Sequence, residues 1–343
     1  MIVVDTGSTD ETPAIAQRFG ARLANHRWRD DFAEARNVSL GLARGEWILY
    51  IDADERLVDG DRPRVEQLLR NAEEIAFRLL LRPMLGTTPY REYRLWRNDP
   101  RIRFEGIIHE RVVPAIHRAA GEDGRRIGDC DLLLAHLGYE GSQSHKHRRN
   151  LPLLRAELPR DPDNLFKHHH LARVLEGLGR KDEAVEVLTD AAELARSRPY
   201  DPLGVLVFTD LVRLRDDDGE DVAELLAEAR DVYPDNKVLW WIEAIACSSE
   251  GRHDEALKLL DRLLGVDLSE LPDEGPSYDE RIFGEFAHQA RGLCLFRLGR
   301  YEESGEAYAQ ASQIDPSNLE YRAKMQVAFG RARAAQTDRS AAH

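Results

Sequence analysis

The sequence predicts an α/β domain with a mostly parallel sheet, followed by an all-α solenoid of helical repeats. Short apolar segments, Ile2–Val4 and Trp47–Ile51, alternate with helical stretches in the first 142 residues. Such alternation is typical of parallel strands that are buried on both faces. From about residue 143 only helical patterns remain, and a helix–turn–helix motif recurs there.

Two helices are predicted between these strands, over Thr12–Phe19 and Phe32–Ala43. Their apolar residues recur at the spacing of a helical face. Asp31 precedes the second helix and Glu34 follows three residues later, which is the arrangement of an N-cap with a capping box. We therefore expect that helix to begin at Phe32.

The second half repeats a helix, a Gly-Arg turn, an acidic pair and a second amphipathic helix. Glycine permits the left-handed conformation that ends a helix, and a small residue five positions later lets the paired helices approach closely. The turn glycines are Gly179, Gly251 and Gly299, and the small residues are Ala184, Ala256 and Ser304. This pattern resembles the tetratricopeptide repeat, a helical hairpin of ~34 residues.

These patterns divide the chain into four segments. We expect a first domain at residues 1–142, a linker helix at 143–163, repeats at 164–336 and a disordered tail at 337–343. Residues 202–235 have the length of a degenerate repeat. The final helix, Leu319–Ala334, would cap the stack of repeats.

Composition excludes several classes of protein. The net charge of -14 argues against a nucleic-acid partner, because phosphate contact needs a basic face. The three cysteines are far apart, which fits a reducing compartment without a disulfide framework. No apolar run approaches the ~20 residues that span a bilayer. We expect a cytoplasmic protein with no transmembrane segment, and peripheral contact with the inner face of the membrane stays open.

The most informative stretch is "WILYIDADE", Trp47–Glu55, in which an apolar strand runs into acidic residues. In an extended segment, Asp52 and Asp54 would face the same side. Asp5 also ends a strand, and ligands of open α/β sheets bind beyond the carboxyl ends of strands. Clustered carboxylates repel one another unless a cation joins them, and Mg²⁺ or Mn²⁺ prefers such oxygen ligands. The sequence therefore predicts a divalent-metal site here rather than a plain polar turn.

Two other groups of residues are interpreted as packing. The run His168-His169-His170 lies in a predicted helix, where consecutive side chains point about 100° apart and cannot share one ion. His168 occupies a repeat position that is normally filled by a large aromatic residue. Trp240 is expected to point inward in its repeat.

The order of the motifs in the first 142 residues resembles the family 2 glycosyltransferases of the GT-A fold, which is Rossmann-like. It is similar in particular to bacterial members that carry tetratricopeptide repeats behind the catalytic domain. The motifs are "VVDTGSTDET" (Val3–Thr12), "WRDDFAEARN" (Trp28–Asn37), "GEWILYIDADE" (Gly45–Glu55), "RLWRNDPRIRFEGIIHE" (Arg94–Glu110) and "AHLGY" (Ala135–Tyr139).

The resemblance implies a nucleotide-diphospho-sugar donor, inversion at the anomeric carbon, and Mn²⁺ or Mg²⁺ held by Asp52 and Asp54. The residues that it places at the nucleotide or donor site are Asp5, Thr6, Ser8, Asp10, Arg36, Asn37 and Asp52. Many relatives have a second aspartate where Thr6 stands, which leaves the identity of the base open.

Candidates for catalysis come from the last two motifs. Glu110 is a candidate base for the acceptor, and the alternative is a surface acid near Arg111. His109 either positions the acceptor or packs. His136 corresponds to a late histidine that can join the metal in related enzymes, and the alternative is a buried structural histidine.

The family usually has a strand and a helix before the strand that begins at Ile2. The resemblance therefore implies that roughly 30 residues of this unit precede Ile2 in the complete domain, the scale of a βαβ element. Without its neighbour, the strand Ile2–Val4 would leave an exposed edge. We expect reduced stability for the domain in this form.

The leading hypothesis is an inverting, metal-dependent glycosyltransferase that uses a UDP-sugar, with glucose or N-acetylglucosamine as the first guesses. The acceptor hydroxyl or thiol would belong to a glycan, a lipid-linked sugar or a peptide. The concave face of the repeats suits a protein partner. The alternative is a protein-binding repeat scaffold fused to a degenerate, inactive transferase domain.

Overall fold

The computed structural model describes residues 1–58, 62–137, 144–272 and 275–341. These residues form two compact units. The first comprises Met1–Leu85 and Pro89–Leu194, and the second comprises Gly86–Thr88 and Ala195–His343. The first unit therefore extends beyond the predicted domain boundary at residue 142, and it includes the linker helix and all but the last residues of the first helical hairpin.

Every strand among the described residues lies in the first unit. They are β1 (Ile2–Asp5), β2 (Arg22–Asn25), β3 (Trp47–Leu49), β4 (Glu55–Leu57), β5 (Ala76–Arg82), β6 (Tyr90–Arg97) and β7 (Ile127–His136). The helices that alternate with them are α1 (Thr12–Arg18), α2 (Phe32–Leu42), α3 (Arg62–Leu69) and α4 (Val113–Asp123). The predicted N-cap of α2 is confirmed, since the Asp31 side chain accepts a hydrogen bond from the Glu34 amide at 2.8 Å.

Within the described residues the strands form two separate sheets. β1 and β2 pair in parallel, and the second sheet has the order β3-β6-β5-β7-β4. In this second sheet β5 and β7 are parallel, whereas β3–β6, β5–β6 and β4–β7 are antiparallel. The α/β fold class is confirmed, but the expectation of a mostly parallel sheet is wrong. The reason is that β6 follows β5 after a short connection, which suits antiparallel pairing, whereas a parallel pair needs a longer crossover.

The core of the first unit lies on both faces of β5 and β6. Trp96 packs with Ile102 and Ile116 on the side of α2 and α4. Its neighbour Leu95 points to the other face, where it packs with Leu79 and Leu134. β1 and β3 are only partly buried, in contrast to the fully buried strands that their composition predicts.

The rest of the chain is helical within the described residues. Its helices are α5 (Ser144–Glu157), α6 (Leu165–Gly177), α7 (Lys181–Ser197), α8 (Gly204–Asp216), α9 (Ala223–Val232), α10 (Lys237–Ser249), α11 (His253–Leu264), α12 (Glu285–Arg297), α13 (Tyr301–Ile314) and α14 (Leu319–Ala341). The helix α14 continues to Ala341, so residues 337–341 of the predicted disordered tail are helical. None of the described helices combines the length and the apolarity that crossing a bilayer requires.

The repeats share a capping arrangement that their sequences predict only in part. Asn164 caps α6 by accepting from the Lys167 amide, and Asn236 caps α10 by accepting from the Val238 and Leu239 amides. The ring nitrogen of Trp240 donates to the Pro234 carbonyl at 2.8 Å, and His168 Nε2 lies 2.8 Å from the Pro162 carbonyl. The His168 ring in α6 and the Trp240 ring in α10 thus contact the carbonyl of the proline two residues before the N-cap of their own helix. The small residues Ala184, Ala256 and Ser304 are completely buried, as close helix packing requires.

Candidate active site

The segment that follows β3 turns instead of continuing as a strand. β3 ends at Leu49, and the Glu55 amide donates to the Asp52 carbonyl at 3.0 Å. Because the backbone turns here, the alternation of side chains in an extended segment does not apply. Asp52 and Asp54 have separate hydrogen-bond and ion-pair partners. That the two carboxylates point in one direction and share a metal ion stays a prediction.

Asp52 lies in a pocket of hydrogen-bond donors. Tyr50 donates its hydroxyl at 2.6 Å, Arg36 Nη1 lies at 3.0 Å and Arg94 Nη1 lies at 3.4 Å. Burial alone would raise the pKa of Asp52, but Arg36, Tyr50 and Arg94 outweigh it, and the pKa is lowered. Asp52 is consequently a stable carboxylate at neutral pH. Burial also raises the pKa of Tyr50, so its hydroxyl keeps its proton and remains a donor.

Arg36 joins three parts of the sequence. It lies on α2, its Nη1 contacts Asp52 after β3, and its Nε contacts Glu110 Oε1 in the segment between β6 and α4. The guanidinium carbon also lies 4.6 Å from the centre of the Tyr50 ring. Burial would lower the pKa of Arg36, but Tyr50, Glu110 and Asp52 raise it. The predicted residues Arg36, Asp52 and Glu110 are thus brought together.

Arg94 and Glu55 form a second, more deeply buried pair that was missed in the sequence. Arg94 Nη2 lies 2.7 Å from Glu55 Oε1, and Glu55 Oε2 accepts from the Asp52 amide at 2.8 Å. Burial raises the pKa of Glu55 despite the neighbouring guanidinium. The available signals were an acid directly after the Asp-x-Asp segment and an arginine directly before the apolar pair Leu95-Trp96, since a buried arginine requires a carboxylate partner.

Asp54 lies beside His136, with His136 Nε2 at 3.1 Å from Asp54 Oδ2. The pairing of β4 with β7 places Glu55 opposite His136, which brings the neighbouring Asp54 into reach. Both side chains are about 30% exposed (29% for His136 and 30% for Asp54), which does not fit a buried structural histidine. The Asp54 carboxylate and the His136 imidazole are both groups that bind metal ions, and both are partly exposed to solvent.

The fit of this site to a divalent metal is partial. Among the described residues, no cluster of three or more histidine, cysteine, aspartate or glutamate side chains is arranged to hold a metal ion. Mg²⁺ and Mn²⁺ commonly use only one or two carboxylates and take their other ligands from water and phosphate. The Asp54–His136 pair fits that mode of binding. Asp52 fits it less well, because both of its oxygens are engaged by arginines.

Glu110 belongs to a short loop that is closed by paired backbone hydrogen bonds. The Glu105 and Arg111 amides and carbonyls bond reciprocally at 3.0 and 2.9 Å. The Glu110 side chain is only 8% exposed and is paired with Arg36, so it is not a surface acid beside Arg111. No hydrogen bond from the part of the chain that the structure describes reaches Glu110 Oε2.

His109 is a packed residue. Its ring centroid lies 4.0 Å from that of His170 and 5.4 Å from that of Phe166, both on α6. Burial lowers the pKa of His109 to about 4, and Lys167 adds to the effect. Of the two interpretations of His109, the geometry favours packing, and the contact with the first repeat was not visible in the sequence.

The predicted nucleotide loop is built mainly from local bonds. The Asp5 side chain accepts from the Gly7 and Ser8 amides at 3.2 Å, and Asp10 accepts from the Thr12 amide at 3.0 Å. The hydrogen bonds to Ser8 lower the pKa of Asp5, which is half-buried. No hydrogen bond or ion pair among the described residues joins this loop, Thr6 included, to Asp52 or Asp54. The convergence of three acids therefore stays a prediction.

Asn37 has a structural role in the geometry observed. Its Nδ2 donates to the Phe104 carbonyl and its Oδ1 accepts from the Phe104 amide, both at 2.9 Å. This two-bond contact fixes α2 against the segment that leads to Glu110. Contact of Asn37 with a nucleotide stays a prediction.

Comparison with known proteins agrees with these features. Residues 1–111 match the family model described as glycosyl transferase family 2. Residues 168–198 and 285–318 match models of the tetratricopeptide repeat.

Three curated relatives are similar to parts of the chain. A TPR repeat-containing protein of Synechococcus elongatus is 46% identical over 114 residues, which are 33% of this chain and 28% of the relative. Glycosyltransferase SunS, derived from the SPbeta prophage of Bacillus subtilis, is 26% identical over 197 residues, 55% of this chain and 46% of the relative. The lipopolysaccharide core biosynthesis glycosyltransferase LpsC of Rhizobium meliloti is 33% identical over 129 residues, 33% of this chain and 47% of the relative.

The chain thus spans between about a quarter and a half of the length of these relatives. Among solved structures, a crystal structure of MamA is similar to 52% of this chain and 88% of that chain, with a TM-score of 0.38 and 15% identity. Residues 1–111 are thus similar to the family 2 glycosyltransferases, and residues 168–198 and 285–318 are similar to tetratricopeptide repeats.

Proposed function

We propose that this chain transfers a sugar from a nucleotide-diphospho-sugar to an acceptor hydroxyl or thiol, with inversion at the anomeric carbon. The observation that supports this most is the position of Arg36, which contacts both Asp52 and Glu110. Three sequence motifs that are separate in the chain thereby meet at one point. Arg94, Glu55 and Tyr50 surround that point and hold its charges in a defined arrangement.

The proposed division of roles follows the partners of each acid. Asp54 and His136 would hold Mn²⁺ or Mg²⁺ at the solvent-facing side of the turn. A divalent ion held there would supply Lewis-acid stabilisation of the leaving phosphate, which is worth several kcal/mol. Asp52 orients Arg36 and Arg94, whose guanidinium groups suit phosphate oxygens.

Glu110 is the proposed base. In the reaction the acceptor oxygen or sulfur forms a bond to the anomeric carbon, and the bond from that carbon to the diphosphate breaks. The nucleoside diphosphate leaves with the electron pair, and the acceptor proton passes to a Glu110 oxygen. Arg36 holds Oε1 of that carboxylate, so Oε2 is the atom that we assign to the proton.

Substrate and partner are proposed from the domain type alone. UDP-glucose and UDP-N-acetylglucosamine are the first donors to test. A peptide acceptor is favoured slightly over a glycan or a lipid-linked sugar, because tetratricopeptide repeats form concave surfaces that suit peptides and proteins. A cytoplasmic location is part of the same proposal.

The test measures hydrolysis of a UDP-sugar panel with Mn²⁺, with Mg²⁺ and with a chelator. Two variants probe the assigned roles. We expect Asp54→Ala to abolish the dependence on metal together with most of the turnover. We expect Glu110→Gln to lower kcat by about 10²–10⁴-fold, the usual contribution of general acid–base catalysis, while UDP binding measured by calorimetry is kept.

Glu105→Gln is the matched control for Glu110→Gln. Glu105 lies in the same loop, but its side chain is 48% exposed and is paired with Arg118. We expect this variant to turn over like the wild type. A wild-type protein that neither binds nor hydrolyses any nucleotide sugar would overturn the proposal and favour a binding scaffold with an inactive domain.

A further inference from the structure

The loop that bears Glu110 is covered by the first repeat. The helix α6 places Phe166 and His170 against His109, the residue that precedes Glu110. The two imidazole rings are tilted by 31° at a centroid distance of 4.0 Å, which is a close stacked contact. All of these residues belong to the same compact unit. The first repeat is thus in direct contact with the segment that we assign to proton transfer.

The backbone of this loop depends on its surroundings. His109 has a φ of 50°, and Gly106 in the same loop has a φ of 96°. A left-handed conformation is unfavourable for a residue other than glycine, and packing contacts can offset that cost. The stacked ring of His170 is such a contact for His109.

A second contact secures the loop from the side of α5. Glu157, at the end of α5, is 6% exposed and binds Lys167 Nζ of α6 at 3.1 Å. A Cβ atom at Gly106 would lie 3.3 Å from Glu157 Oε1, so the loop lies directly on this carboxylate. Lys167 Nζ also binds Asp161 at 3.1 Å, and Asp161 lies 3.4 Å from Arg111 at the end of the loop.

The chemistry of the two stacked rings supports a structural role. Burial lowers the pKa of His109 to about 4, and burial followed by the charge of His109 lowers the pKa of His170 to about 2. Both imidazoles are therefore neutral at pH 7, and their close approach carries no charge repulsion. Neither ring carries the second N–H proton of an imidazolium near neutral pH.

We propose that His170 is a positioning residue for glycosyl transfer, which fixes Glu110 by packing against His109. In this arrangement the first repeat is a structural part of the active site and not only a binding module. The inference rests on the proposed role of Glu110. It adds a residue from outside the family 2 domain, whose match ends at residue 111.

The test compares His170→Ala, which removes the ring, with His170→Phe, which keeps an aromatic ring. Hydrogen exchange of the amides at residues 107–110 reports the order of the loop without any need for activity. We expect exchange to rise at least about tenfold in His170→Ala. We also expect kcat to fall at least about tenfold while KM for the donor changes little, because a misplaced catalytic group loses rate without losing substrate affinity. His170→Phe should restore both quantities to near the wild-type values.

His168→Ala is the matched control, because it truncates a histidine on the same helix whose ring binds Pro162. It should leave both the loop and kcat unchanged. Should His170→Ala fail to fold, His170→Leu replaces it in the same comparison. The proposal would be overturned if His170→Ala kept the hydrogen-exchange rates and the kcat of the wild type. It would also be overturned if His168→Ala changed both quantities as much as His170→Ala. A third outcome separates this inference from the proposed function. If neither the wild type nor any variant has turnover, but hydrogen exchange rises only in His170→Ala, then His170 does order the loop and the glycosyltransferase assignment fails.

Discussion

Arg94 donates a hydrogen bond from Nη2 to Glu55 Oε1 at 2.7 Å, and both side chains are almost completely buried, with exposures of 9% and 3%. A buried ion pair of this kind adds little stability compared with an apolar pair, but removing one partner leaves an uncompensated charge. The same pair also fixes Asp52, since Arg94 and the Glu55 carboxylate both contact it. The order of the candidate active site therefore depends on this contact.

Glu55→Ala should destabilise the first compact unit by about 3–5 kcal/mol, the usual cost of breaking a buried ion pair. Native-state hydrogen exchange of the amides in β5 and β6 measures this free energy of unfolding. Glu46→Ala is the control, because Glu46 also pairs with an arginine on β6, Arg97, but is 75% exposed. It should cost less than about 1 kcal/mol. Equal losses in the two variants would contradict the buried-pair account.

The neutral histidines predict how stability depends on pH. The unfolded chain takes up protons at these imidazoles near pH 6.5, whereas in the folded protein the pKa of His109 is lowered to about 4 and that of His170 is lower still. Above pH 6.5 both histidines are neutral in the folded and in the unfolded chain, and the free energy of unfolding does not change through them. As the pH falls towards 4, the unfolded chain binds protons that the folded protein does not, and the free energy of unfolding decreases. Each histidine should weaken folding by about 1.4 kcal/mol per pH unit in that window.

The comparison that isolates this effect uses wild type and His170→Phe at pH 7 and pH 5. The charged or titratable side chains that act on the two rings are Lys167, His169 and Arg173, and all of them are present in both proteins. We expect the loss of stability between the two pH values to be smaller in the variant by the share of one histidine. If stability falls equally in the two proteins between pH 7 and pH 5, the folded and the unfolded chain bind protons at His170 alike. The pKa of His170 would then not be lowered by folding.

Close packing in the last repeats gives a prediction for the second compact unit. A Cβ atom at Gly305 of α13 would lie 2.6 Å from the Phe329 ring of α14. Gly305→Ala should therefore destabilise this unit by about 1–3 kcal/mol through overpacking. Gly330→Ala is the control, because no atom lies within 4 Å of the added Cβ, and it should be neutral or stabilise α14 by up to about 1 kcal/mol. Hydrogen exchange of the α13 and α14 amides measures both changes, and equal stability in the two variants would count against the tight contact.

Local patterns in the sequence predicted local structure well. The cap at Asp31, the buried position of Trp240 and the buried small residue after each Gly-Arg turn all depend on residues within a few positions of one another. Capping and helix-face packing are short-range effects, so one repeat contains the information needed to place them.

The site was harder to predict because its geometry depends on distant residues. The direction of Asp54 follows from the turn at Asp52–Glu55 and from the pairing of β4 with β7, and periodicity within "WILYIDADE" contains neither. Arg94 contacts Asp52 across 42 positions of sequence. The motifs indicated which residues meet, but the partner of each charge depends on tertiary packing that one sequence does not reveal.

The extent of the first compact unit has a consequence for how such chains can be recombined. A crossover at residue 142 would separate His109 from Phe166 and His170, and Glu157 from the loop beneath it. A chimera that receives its later helices from another protein should therefore be joined after Ser197, so that the whole hairpin of α6 and α7 stays with the first compact unit.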